Sequence, residues 1–147
     1  MLESSGLMGV FTVPIKVRNW QNQFLPPEQR GEEVACDAIV DSGAVQMALP
    51  SELVTRLKLQ EIDTKRVFTA DGGEHYYRVF GIADVEVQGR TYQTRIIELP
   101  YGTTPLHGAI ALEEMDWHIS PLEKKLVPNP KSPNERLLPL VGLRYTR

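Results

Sequence analysis

Short apolar, β-branched runs broken by glycine, proline and polar clusters dominate this chain, and most of them read as strands. Residues 10–18, VFTVPIKVR, form a first strand, with Pro14 arguing for an edge or bulged position because it lacks an amide hydrogen. Residues 19–33 carry Pro26-Pro27, Gly31 and several polar side chains. They read as a long loop, either functional or an insertion within a hairpin. Residues 34–40, VACDAIV, are the second strand and deliver Asp41. After Ala44 a short strand reaches Leu49, and Pro50-Ser51 opens a helix. Leu53, Val54 and Leu57 give that helix its apolar face, with Ser51 as its cap.

Residues 66–70 and 76–80 are two aromatic, β-branched arms around Asp71-Gly72-Gly73-Glu74, a hairpin with a flexible tip. By pattern alone it is an ordinary hairpin; the functional reading is a flap over a cleft. Residues 83–87 alternate cleanly, turn at Gln88-Gly89-Arg90 and return through residues 91–99 as a second hairpin. A loop at 100–105 leads through Leu106-His107-Gly108-Ala109 into a short helix at 110–117. Residues 117–119 and 125–127 look like two strands joined at 120–123. Three prolines mark 128–135 as a linker, and 137–145 is apolar enough to dock as a strand or against a partner. One internal echo stands out. Val40-Asp41-Ser42-Gly43-Ala44 before the first helix resembles Leu106-His107-Gly108-Ala109 before the second, but only the first copy has a carboxylate.

The 147 residues fit a single domain, with a core at about 8–128 and a proline-rich linker and C-terminal extension at 129–147. A net charge of -3 gives no electrostatic case for nucleic acid. No apolar stretch approaches the roughly 20 residues of a membrane helix. Residues 1–6 lack the basic-then-apolar order of a secretory signal, whether they are native or not. Cys36 is the one cysteine, which excludes an internal disulfide and fits a reducing, cytoplasmic setting. Within a strand it reads as a buried small hydrophobe.

Few stretches carry chemistry. Asp41-Ser42-Gly43 is good turn chemistry, yet an exposed turn rarely sits between two apolar strands, and an ionised aspartate is costly to bury. His75, His107 and His118 lack metal-ligand spacing and neighbouring cysteines, so no metal and no cofactor is expected. Glu113-Glu114 is a solvated helix face. No Gly-x-Ser-x-Gly sets up a serine nucleophile, and neither Lys nor Ser/Thr follows Gly72-Gly73 as a phosphate loop requires.

Ile39-Val40-Asp41-Ser42-Gly43-Ala44, the glycine-tipped hairpin about thirty residues later, the apolar-x-Gly segment opening a helix, and residues 108–116 followed by Ile119-Ser-Pro and Leu126-Val-Pro128 form an ordered set. Together they resemble the retroviral-type (retropepsin-like) aspartic protease family, in its small bacterial and cellular branch, over residues 8–128. The family has an apolar residue where His107 stands, and the 19–33 loop lies outside its minimal pattern.

The resemblance implies an all-β, mainly antiparallel closed barrel of the acid-protease type with one or two short helices. It implies an aspartic endopeptidase whose two catalytic carboxylates share a water. Since this chain supplies one Asp-Ser-Gly, the second Asp41 comes from a second copy, in a homodimer with its two-fold axis through the site. Ser42 then hydrogen-bonds across that axis, Gly43 lets the backbone approach, and Ala44 completes the loop. Asp71, Gly72 and Gly73 form the flap tip over a peptide or protein substrate. Val45, Met47 and the residues near Leu106 are walls for substrate side chains. Two alternatives stay open: a catalytically weak or inactive peptide-binding module on the same barrel, or a dimerisation unit using 137–145.

Overall fold

The computed structural model describes residues 11–41, 43–44, 46–131 and 133–134. The readings made for Ser42, Val45, residues 1–6 and residues 137–145 lie outside the described residues.

Among the described residues the chain forms nine strands and two short helices. β1 (Phe11–Asn19) and β2 (Val34–Val40) pair antiparallel, Phe11 opposite Val40 and Val17 opposite Val34. β3 (Ala48–Pro50) leads into α1 (Ser51–Leu57). β4 (Gln60–Phe68) and β5 (Glu74–Val87) form one hairpin, and β5 and β6 (Arg90–Leu99) form another. β7 (Leu106–His107) precedes α2 (Ala109–Met115), and β8 (Trp117–Ser120) and β9 (Lys125–Pro128) make a separate two-stranded sheet. The order β1-β2-β7-β3-β6-β5 closes on itself where Lys16–Asn19 of β1 pairs with residues 83–86 of β5. The result is a closed six-stranded barrel of the acid-protease type with two short helices and 51% strand, which bears out the all-β, mainly antiparallel barrel that the resemblance implies. Most pairings are antiparallel; β2–β7 and β3–β6 are parallel.

Alternation builds the wall. Val13, Ile15 and Val17 of β1 point inward and are at most 4% exposed, and Ala83, Val85 and Val87 of β5 are fully buried. Each of these valines and the isoleucine, withdrawn from water, contributes about 1.5–3 kcal/mol. β5 changes character along its length: residues 74–78 are mostly exposed and pair only with β4, whereas 79–87 form barrel wall. The hairpin thus extends from the wall as an arm. Pro14 lies in the half of β1 that has β2 on one side and no β5 pairing on the other, which is where a residue without an amide hydrogen fits.

Five expectations need correction. Ser51 does not cap α1: Pro50 occupies the N-cap position with no side-chain hydrogen bond, and Ser51 is the first helical residue, its carbonyl accepting from Thr55 Oγ1 at 3.0 Å. Proline serves here because a cap residue is extended and needs no amide donor. The strand after Ala44 is only Ala48–Pro50, whose parallel pairing with β6 begins at Ala48 opposite Ile97. The second helix ends at Met115, where Asp116 takes a left-handed conformation at φ 54°, and Trp117 opens β8 instead. Residues 83–87 are no separate strand but the inner half of β5. Cys36 is half-buried, packed against the core from a wall position.

The 19–33 segment is ordered. It folds into two 3-10 turns, Trp20–Phe24 and Pro27–Gln29. Asn22 clasps Gly31 twice, its Nδ2 donating to the Gly31 carbonyl at 3.2 Å and its Oδ1 accepting the Gly31 amide at 3.0 Å. Buried Asn19 donates to the Lys58 carbonyl at 2.9 Å and ties the segment to the end of α1. Glu113 and Glu114 are exposed on α2, as read from sequence.

Candidate active site

Asp41 follows directly on β2, where a strand buried at Val40 runs out into a half-exposed turn. Its Oδ1 accepts the Gly43 amide at 2.8 Å, and its carbonyl accepts the Ala44 amide at 3.1 Å. The carboxylate is therefore held by its own loop, with its second oxygen in no hydrogen bond or ion pair among the described residues. A Cβ on Gly43 would stand 3.2 Å from Asp41 Oδ1, so glycine there leaves the carboxylate its position. Local sequence explains this much: an aspartate two residues before an amide that can turn back on it.

The rest of the brace comes from far along the chain. β7 lies parallel to β2, with Leu106 opposite Ile39 and His107 opposite Val40. The Asp41 amide donates to the His107 carbonyl at 3.3 Å, and the Ile39 amide donates to the Pro105 carbonyl at 2.8 Å. On the far side of the turn the Ala109 amide donates to the Ala44 carbonyl at 2.7 Å. The two echoing segments of the sequence are thus neighbours in space, and the second grips the first at both ends. Glu52 of α1 adds a tie to the preceding loop, its carboxylate accepting the Gly102 amide at 3.1 and 3.2 Å.

His107 is the unexpected member. It is fully buried, and neither ring nitrogen has a hydrogen-bond partner among the described residues. Burial pushes its pKa down to about 4, with the backbone at His107 and Gly108 opposing in part. The ring is neutral over ordinary pH.

The hairpin tip is ordered by Asp71. Its Oδ1 accepts from the Thr69 hydroxyl and from the Gly73 amide at 2.9 Å, which holds its pKa below the usual carboxylate range, the hydroxyl first and the amide second. The Gly72 amide donates to the Thr69 carbonyl at 2.9 Å with Gly72 at φ 83°, a conformation that glycine adopts without strain. Phe68 and Tyr76 on the arms are 74% and 72% exposed, large apolar surface left open among the described residues. Across its base, Arg78 bridges β4 and β6 through Glu61 at 3.3 Å and Glu98 at 2.7 Å.

The expected site residues therefore fall into two groups. Asp41, Gly43 and Ala44 share one braced turn; Asp71, Gly72 and Gly73 share the tip of the arm. Of the expected walls, Met47 is 2% exposed and belongs to the main core, which corrects its assignment, while Leu106 is half-buried beside the small cluster of Ala48, Val79 and Ile97 under the arm. Sequence reading gave His107 no place in the site, and its one signal was a histidine where an apolar residue is expected.

No family model matches the chain, and no curated protein matches it significantly. Among solved structures 220 chains match. One is EIAV protease complexed with the inhibitor HBY-793, with a TM-score of 0.48 and 18% identity over 54% of this chain and 76% of that one. The barrel assignment stands on the strand pairings above and not on that likeness.

Proposed function

We propose that the protein is an aspartic endopeptidase acting as a homodimer, with one Asp41 from each copy. The observation that carries this reading is the Asp41 carboxylate itself: half-exposed at the end of a buried strand, fixed by the Gly43 amide, and braced on both flanks by the chain around His107. Two carboxylates brought close together cannot both ionise easily, so the pair holds one proton and titrates as a unit. The ionised member takes a proton from a shared water, and the protonated member polarises the scissile carbonyl. One chain carries half of this apparatus, which is why the reading requires a two-fold axis at the turn.

The arm of β4 and β5 is assigned the flap. Its tip, Asp71-Gly72-Gly73, closes over bound peptide and excludes water, and exposed Phe68 and Tyr76 gain cover on closing.

The test compares the parent with Asp41→Asn on a peptide library from acidic to neutral pH, with mass followed by light scattering. Cleavage by a parent dimer that the variant lacks supports the enzyme. A dimer that binds peptides and cleaves none at any pH leaves the peptide-binding module. A strict monomer overturns the shared dyad.

A further inference from the structure

His107 is the only buried side chain among the described residues whose polar atoms all go unpartnered. Such groups are rare in folded proteins because an apolar side chain fills the same space without losing hydrogen bonds to water. It stands on a strand of two residues, β7. Through that strand it sits at the centre of the Asp41 brace: Ile39 on Pro105, Asp41 on His107 itself, and Ala44 on Ala109. The charged groups on the strands paired with β7 and on the helix that follows it are Asp37 and Asp41 on and after β2, and Glu113 and Glu114 on α2; β3 carries none. None of them acts on the ring, whose titration is governed by burial and by the backbone of His107 and Gly108.

We propose that His107 is a positioning residue and a built-in acid release: neutral, it packs in the core and keeps β7 clamped on the Asp41 turn; protonated, it leaves the core and the clamp opens. A cation without a partner cannot stay where the neutral ring sits. The direction follows from linkage. In the open form the ring regains an ordinary pKa of about 6.5, whereas in the clamped form it titrates near 4. The open form therefore binds the extra proton between those values, and the clamp is lost as pH falls through that window. Its opening is favoured about thirtyfold at pH 5 relative to pH 7.5. The consequence for cleavage rests on the aspartic-protease reading; the loosening of the turn does not.

Amide hydrogen exchange tests it. Corrected for intrinsic exchange rates, protection of the Ile39, Asp41 and Ala109 amides is expected to fall about thirtyfold from pH 7.5 to pH 5 in the parent. His107→Leu is expected to abolish that extra fall, while amides of the β5–β6 hairpin behave alike in both proteins. The same pH dependence at the three amides in parent and variant overturns the proposal. If the variant does not fold, the parent decides by the NMR titration of its own imidazole. A ring titrating near 4 together with loss of protection at the three amides supports the proposal, and a ring titrating near 6.5 in the intact fold overturns it. A protein that cleaves nothing but shows the exchange result refutes the protease reading alone.

Discussion

The amide of Ala109 donates to the carbonyl of Ala44 at 2.7 Å, so the segment that opens the second helix closes the turn that presents Asp41. Together with the Asp41 amide on the His107 carbonyl at 3.3 Å, this makes the turn a bracketed element rather than a free loop. On the proposed reading, such a bracket suits a carboxylate that meets a symmetry-related copy of itself, since catalytic groups work only when held in place.

Asp41→Asn keeps an oxygen for the Gly43 amide and removes the charge. The fold is expected to persist, with an unfolding midpoint near that of the parent, while peptide cleavage falls by about 10²–10⁴-fold. Calorimetry beside a cleavage assay checks both halves.

Gly43→Ala places a methyl 3.2 Å from Asp41 Oδ1, so the carboxylate must yield by a few tenths of an ångström. Because the residue is exposed in a turn, stability is expected to change by less than about 1 kcal/mol. Cleavage is expected to fall about tenfold or more through misplacement of the carboxylate. Equal kcat in the two proteins would refute this.

Gly31→Ala acts in the opposite sense. A Cβ there would lie 2.0 Å from the Leu57 carbonyl oxygen and 2.4 Å from its carbon, and backbone cannot give way as a side chain can. Urea unfolding is expected to show a loss of about 3 kcal/mol, with any surviving fold retaining the Asp41 turn.

Arg90 holds the end of α2. Its Nη1 donates to the Met115 and Asp116 carbonyls at 2.8 and 2.9 Å, and its guanidinium lies 4.1 Å over the Trp117 ring, whose Nε1 donates to the Val87 carbonyl at 3.2 Å. Arg90→Ala is expected to cost about 2–3 kcal/mol by denaturant unfolding, and Arg90→Lys to recover less than half, lacking the planar fork.

Cys36 tests the burial of the β2 wall. Burial, with Asp37 adding to it, pushes the thiol up to about 11 from the ordinary 9.0. The reactive thiolate is thus scarcer in the fold at neutral pH and becomes abundant only as pH rises toward that value. Alkylation at pH 8 is expected to run about a hundredfold slower than in urea-unfolded protein, which a thiol-trapping time course measures.

Much of the barrel was legible in the residues, for local reasons. Alternation in 83–87 and 91–99 specifies which side of each strand is buried, and Gln88-Gly89, at φ 51° and 86°, specifies the turn between them. The Asp71-Gly72-Gly73 tip and the break after Val40 were legible for the same reason. Element ends were less so. Ser51 is a good cap by composition, yet Pro50 holds that position because β3 already fixes it in extended backbone through its pairing with Leu99. Likewise Asp116 ends α2 one residue before Trp117, where β8 takes over the pairing.

Sequence alone determined that a carboxylate follows a buried strand and a glycine-tipped arm comes later, because periodicity and turn chemistry act between near neighbours. It also showed that Leu106-His107-Gly108-Ala109 echoes the Asp41 segment, though not that the two touch. Only the tertiary structure decided that they lie side by side, that the second braces the first, and that His107 is sealed without a partner among the described residues. Parallel pairing of β2 with β7 depends on closing the barrel around a shared core, and no local pattern carries that information.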